Sequence, residues 1–132
     1  MDIQYMGQSS SYPRCSFQEL QQKKGEYILI NTLPLNKQHY LIQGTLHGLQ
    51  ESERINDYLS KNKKIEIIIY GLDYQDVSVY KKFAQLKSLG FMNVFIYMGG
   101  LFEWALLQEV YGTNFKTLGV LSDPLDVYKK ID

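Results

Sequence analysis

The sequence predicts an α/β domain of three layers, with a central mostly parallel sheet of about five strands flanked by helices. Three observations lead there. Tyr27–Asn31 (YILIN), residues 64–70 (KIEIIIY) and Asn93–Tyr97 (NVFIY) are apolar and β-branched on consecutive positions, as strands covered on both faces are. Between them run stretches with apolar residues at i, i+3 and i+4, the spacing of amphipathic helices. The connections are short, and strands alternating with helices through short connections build parallel sheets.

Each element can be justified in chain order. Residues 1–11 are polar around a Ser-Ser-Ser run and read as an N-terminal arm. Ser16-Phe17-Gln18-Glu19 has the S-x-x-E pattern in which serine and glutamate each satisfy a free backbone donor, so a short helix starts there and runs to about Lys23. Gly25 ends it and YILIN follows. His39-Tyr40-Leu41-Ile42 is a weaker strand candidate. ESERINDYLSKN carries Ile55, Tyr58 and Leu59 as the apolar stripe of a helix, and Lys61, Lys63 and Lys64 solvate its end.

After the 64–70 strand, VSVYKKFAQLKSLG places Val79, Phe83 and Leu86 on one helical face, with Gly90 as its left-handed cap. Gly99-Gly100 then turns the chain into LFEWALLQEVYG, apolar almost all round and so expected to be deeply buried. Residues 113–132 read as an irregular C-terminal tail, in which 124–130 could form a helical turn packing by Leu125 and Tyr128. The domain proper is expected to span 12–112.

Composition narrows the function. Lys plus Arg equals Asp plus Glu, 14 against 14, so no net field draws nucleic acid or an acidic membrane face, and no nucleic-acid partner is expected. No apolar run approaches the roughly 20 residues of a membrane span, so membrane insertion is not expected. A single cysteine, Cys15, cannot form an internal disulfide, and the N-terminus lacks the apolar stretch of a secretion signal. An intracellular, cytoplasmic location is expected. Eleven tyrosines, residues suited to wet interfaces, favour a protein partner or a second copy of the chain.

Residues 65–104 resemble the second half of a rhodanese-like domain: strand, loop, a helix closing on Leu89-Gly90-Phe91, strand, then Gly99-Gly100-Leu101-Phe102-Glu103-Trp104. The first half resembles it more loosely, through Ser16-Phe17-Gln18-Glu19-Leu20 and the YILIN strand, where Asn31 stands in place of the family's usual Asp. Ile42-Gln43-Gly44-Thr45-Leu46 sits where the family carries a longer G-H-I-P-G-A segment. GGLFEW and the ILINTLP phrase are similar to those of rhodanese-like proteins of large DNA viruses, and that likeness implies a virion or host-interaction role.

The resemblance implies that a catalytic cysteine should follow the 64–70 strand, its thiolate held by backbone N–H groups at a helix N-terminus. Gly71 stands there instead, and the remainder of the former active-site loop is Leu72, Asp73, Tyr74, Gln75 and Asp76. Asp73 and Asp76 are expected to cap and turn the loop, accepting the donors that would otherwise hold an anion. No arginine follows Arg54 to hold a phosphate.

Neither sulfur transfer nor phosphate-ester hydrolysis is therefore expected, and no cofactor or metal. A divalent cation would need oxygen ligands beyond Asp73, Asp76 and Gln75. Cys15, on the far side of the domain in the family's fold, is expected to be a structural thiol, and His39 and His47 lack metal-pair spacing. Trp104, Phe102 and Phe91 could line a pocket but suit core packing better. The leading expectation is a catalytically inactive binding or structural module. The alternatives are an enzyme using Asp73 or Asp76 as general base, or a sensor of neutral or cationic ligands in the same crevice.

Overall fold

The computed structural model describes residues 12–129; the polar arm expected at 1–11 and the last three residues lie outside the described residues. The capping box forms as the sequence requires. Ser16 Oγ accepts from the Glu19 N–H at 3.1 Å and Glu19 Oε1 from the Ser16 N–H at 2.9 Å, starting helix α1 at Phe17–Gln21. Strands β1 (Tyr27–Asn31), β3 (Glu66–Tyr70) and β4 (Asn93–Tyr97) make a parallel sheet in the order β1-β3-β4. Helix α2 (Glu51–Lys61) precedes β3, helix α3 (Ser78–Ser88) links β3 to β4, and helix α4 (Gly100–Tyr111) follows β4.

The side-chain alternation of each strand divides the core. Ile28, Ile30, Ile67, Ile69, Val94 and Ile96 face Ile55 of α2 and Val79 and Leu86 of α3. Leu29, Ile68, Tyr70 and Tyr97 face the layer built from Leu20 of α1 and Leu101 and Trp104 of α4. Period-two alternation with both faces buried is what an unbroken apolar run encodes in a parallel sheet. Gly90, at φ 107°, supplies the left-handed turn that lets Phe91 fold under α3.

Four expectations need correcting. Among the described residues the continuous sheet has three strands rather than five. It is widened by single parallel bridges, Thr45 beside Leu29 and Arg14 beside Ile96, so five chain segments lie side by side. The candidate at 39–42 shortens to β2 (Leu41–Ile42) and pairs antiparallel with β5 (Thr117–Leu118), because the chain turns at Gly44, φ 93°, before it reaches β1.

The segment after 112 is not merely irregular. Phe115 and Val127 are buried, Trp104 Nε1 donates to the Lys116 carbonyl at 3.0 Å, and the 3₁₀ turn Pro124–Tyr128 packs by Val127 while Leu125 is left exposed. Finally, α4 is not buried all round. Gly100, Leu101, Trp104 and Ala105 form its inner face, whereas Leu106, Val110 and Tyr111 are exposed. Only the rings of Phe115, beside Tyr111, and Tyr128, beside Phe102, reach the edges of that outer face.

Phe115→Ala should lower the unfolding free energy by about 3–5 kcal/mol in urea titration, since a buried ring is lost from between Trp104 and Tyr111. A change below about 1 kcal/mol would mean that the C-terminal segment is an appendage.

Candidate functional site: the loop after the central strand

In parallel sheets the ligand crevice lies beyond the carboxyl ends of the strands, here Asn31, Tyr70 and Tyr97. The central strand β3 delivers its chain into residues 71–76. Gly71 is the first residue after it, and Asp76 folds back over that glycine. One oxygen, Oδ2, accepts from the Leu72 N–H at 2.8 Å; the other, Oδ1, accepts from the Ser78 N–H at 3.1 Å and from Ser78 Oγ at 2.6 Å. Ser78 Oγ also lies 2.7 Å from Thr32 Oγ1, which ties the loop to the end of β1.

A Cβ placed on Gly71 would lie 2.5 Å from Asp76 Oδ2 and 2.8 Å from its Cγ. The volume in which a residue-71 side chain would begin is thus held by a carboxylate. Asp73 is engaged too: Oδ1 accepts from the Gln75 N–H at 3.0 Å and Oδ2 from the Tyr128 hydroxyl at 2.7 Å. Burial and the Asp73 carboxylate push the Tyr128 phenol up to about 12. Leu72 packs against the core, while Tyr74 projects outward at 70% exposure.

The Gly-Gly turn explains how this loop is held. Gly100 has φ 69°, and a Cβ there would meet the Gly71 carbonyl oxygen at 2.7 Å and the Asp73 backbone nitrogen at 2.8 Å. The first turn of α4 therefore lies directly on the loop, with Leu101 N–H donating to the Gly71 carbonyl at 2.9 Å and Phe102 N–H to the Leu72 carbonyl at 2.9 Å. At Gly99 a Cβ would run into Glu103 Oε1, because that carboxylate folds back to accept from the buried Tyr97 hydroxyl at 2.7 Å. Burial first, and Glu103 second, push the Tyr97 phenol far above its ordinary value.

Cys15 is not on the far side. Arg14 bridges Ile96 in parallel and the Cys15 N–H donates to the Ile96 carbonyl at 3.0 Å, so Cys15 stands level with Tyr97 and Tyr70 at the carboxyl end. It shares a shallow pocket with Tyr97, Gly99 and Glu103. Its thiol is pushed up to about 11 by burial, then by Glu19, the opposite of an activated nucleophile.

The remaining candidates disperse. His39 is exposed, and His47 caps a 3₁₀ turn by accepting from the Leu49 N–H at 3.1 Å. Phe91 belongs to the core on the opposite sheet face from Trp104, which packs edge-on against Tyr97 and Phe115 at ring separations of 6.0 and 5.0 Å. Among the described residues no group of three His, Cys, Asp or Glu could hold a metal ion. No described helix is long and apolar enough to cross a membrane.

Sequence reasoning missed Ser78, Thr32 and Tyr128 as partners of the loop. The Asp76-Val77-Ser78 spacing is a local capping signal that could have pointed to Ser78; Thr32 and Tyr128 arrive from distant parts of the chain and carry none.

Comparison with solved structures bears on the fold. The crystal structure of the Alr3790 protein from Anabaena sp. superposes with a TM-score of 0.58 at 18% identity, over 81% of this chain and 82% of that one. The Rhodanese_3 like domain of the same protein superposes with a TM-score of 0.50 at 20% identity, over 70% of this chain and 98% of that domain. The fold is rhodanese-like. No protein-family model matches the sequence, and no curated protein matches it. At these identities a rhodanese-like likeness speaks for the scaffold, and the chemistry must be argued from the loop itself.

Two outcomes test the loop. Asp76→Ala should cost about 2–3 kcal/mol in urea unfolding, because the Leu72 N–H and both Ser78 donors lose a charged acceptor. Gly71→Cys should be destabilising alone but cost at least about 1 kcal/mol less in an Asp76→Ala background, a coupling that a double-mutant cycle measures; additive effects would place Asp76 elsewhere.

Cys15 has its own test. Its folded pKa is raised from 9.0 to about 11, so the thiol's contribution to stability is complete below about pH 9 and falls as pH rises toward 11. Alkylation of the native protein by iodoacetamide at pH 8 should accordingly be far slower than that of the urea-unfolded chain, and equal rates would contradict the buried thiol.

Proposed function

We propose that this chain is a catalytically inactive rhodanese-like domain serving as a protein-binding module. The observation that carries the reading is the Asp76 carboxylate lying over Gly71 and accepting the Leu72 N–H. A sulfurtransferase needs a thiolate at this position and free donors to hold its persulfide; a phosphatase of related design needs a thiolate and a guanidinium. Here the position has no side chain, the donors are satisfied internally, and negative charge repels an incoming anion. General-base catalysis by Asp73 or Asp76 is disfavoured because each carboxylate already accepts from two or more donors.

Support for binding comes from the surface beside the loop. Phe102, Leu106 and Val110 follow one another at i, i+4, i+8 along the outer side of α4, and Val110 is 71% exposed. Tyr128 joins this row through its ring contact with Phe102, 5.3 Å between centroids, and joins the loop through Asp73. With exposed Tyr74 and Leu125, the former active-site loop, the helix and the C-terminal turn present one apolar, tyrosine-bearing surface. Asp73, through the Tyr128 hydroxyl, and Asp123, the cap of the Pro124–Tyr128 turn, lie beside it, which suits a partner with basic residues around an apolar contact. The resemblance of the GGLFEW and ILINTLP phrases to those of viral rhodanese-like proteins extends the proposal to a component or assembly partner of a virion.

Pure protein should show no thiosulfate-to-cyanide turnover above buffer. A protein retained by the wild-type chain from its native source should be lost on Leu106→Lys and Val110→Lys substitution with thermal stability unchanged. Turnover abolished by Cys15→Ser would overturn the inactive assignment, and retention indifferent to both lysines would overturn the surface.

A further inference from the structure

A second concavity lies away from the loop and from the outer face of α4. It opens between α1, the start of β1, the β2 end and the chain entering β5, with a volume of about 420 Å³, within the range of small-molecule sites. Its floor is made by Leu20, Leu29, Ile42 and Trp104, none more than 4% exposed. Its rim carries Lys23, Lys116 and amide side chains, and no acidic residue lines it.

The two lysines differ. Lys23 is committed: it pairs with Glu66 at 2.5 Å and lies over the Tyr27 ring, 5.7 Å from its centroid. Lys116 has its backbone fixed, the carbonyl accepting from Trp104 Nε1 at 3.0 Å and from the Gln43 N–H at 3.1 Å. Its ammonium has no partner among the described residues. A cation whose backbone is fixed at the pocket rim, and whose ammonium has no partner among the described residues, is available to an anion entering the pocket.

We infer that this pocket binds a small organic anion: a flat apolar body against Leu29, Ile42 and Trp104, with a carboxylate, sulfonate or phosphate toward Lys116. Gln21 and Gln43 are within the same rim to hydrogen-bond its polar edges. Lys116 is the specificity residue, because of the two lysines lining the pocket it is the one with no ion pair among the described residues.

Trp104 is the chain's sole tryptophan, so its emission reports this pocket directly. The probe is 8-anilinonaphthalene-1-sulfonate, titrated into the full chain under native conditions, with the uncharged N-phenyl-1-naphthylamine as comparison. Saturable energy transfer from Trp104 to the sulfonate is expected, weakened by salt and reduced about ten-fold in affinity by Lys116→Glu. Lys81→Glu, on the opposite helical layer, should leave affinity unchanged, and the uncharged dye should be indifferent to position 116. Equal losses from both lysine variants, equal affinity for the two dyes, dye binding without transfer from Trp104, or no saturable binding would each overturn the proposal.

Discussion

Two backbone hydrogen bonds, from Leu101 N–H to the Gly71 carbonyl and from Phe102 N–H to the Leu72 carbonyl, set the arrangement on which the rest of this end of the molecule depends. The first turn of a helix has donors with no partner inside it, and in parallel α/β proteins such donors are commonly turned on an anion. Here α4 turns them on the carbonyls of the loop after β3. That approach is possible only because residue 100 has no Cβ to strike the Gly71 carbonyl. Helix and loop are thereby locked together, and the direction in which α4 leaves the sheet follows from the lock.

The loop's own electrostatics agree with that lock. Once the Gly71 and Leu72 carbonyls face α4, the Leu72 N–H needs an acceptor on the other side, and Asp76 supplies it while also receiving both Ser78 donors. The carboxylate stabilises the loop by accepting the Leu72 N–H and both Ser78 donors in one contact. Cys15 reaches the same end of the sheet but in an apolar and acidic setting that keeps its thiol protonated. Proximity to the crevice does not make it reactive, because nucleophilicity requires the thiolate.

The fixed direction of α4 also explains its exposed side. The sheet face it covers is shared with α1, the β2–β5 ribbon and the Pro124–Tyr128 turn, which together enclose Leu101, Trp104 and Ala105 but leave Leu106 and Val110 outside. The same crowding leaves the gap floored by Trp104 between α1 and the segment holding Lys116. The helix is apolar almost all round, and only its inner face, Gly100, Leu101, Trp104 and Ala105, is buried within the described residues.

Local chemistry determined much by itself: the Ser16–Glu19 capping box, the three apolar strands as elements, Ile55, Val79 and Leu86 as buried stripes, Gly90 as a turn, and the absence of a nucleophilic side chain at Gly71 are all set by residues within a few positions of one another. Tertiary structure alone decided that the candidate at 39–42 pairs with residues 117–118 rather than with the main sheet, that Phe115 and Val127 complete the core, and that Cys15 lies level with Tyr97. It also decided which side of α4 is covered. The physical reason is common to all four. Periodicity reports that a side chain favours burial, whereas the partner that buries it, or fails to, comes from tens of residues away and is chosen by packing.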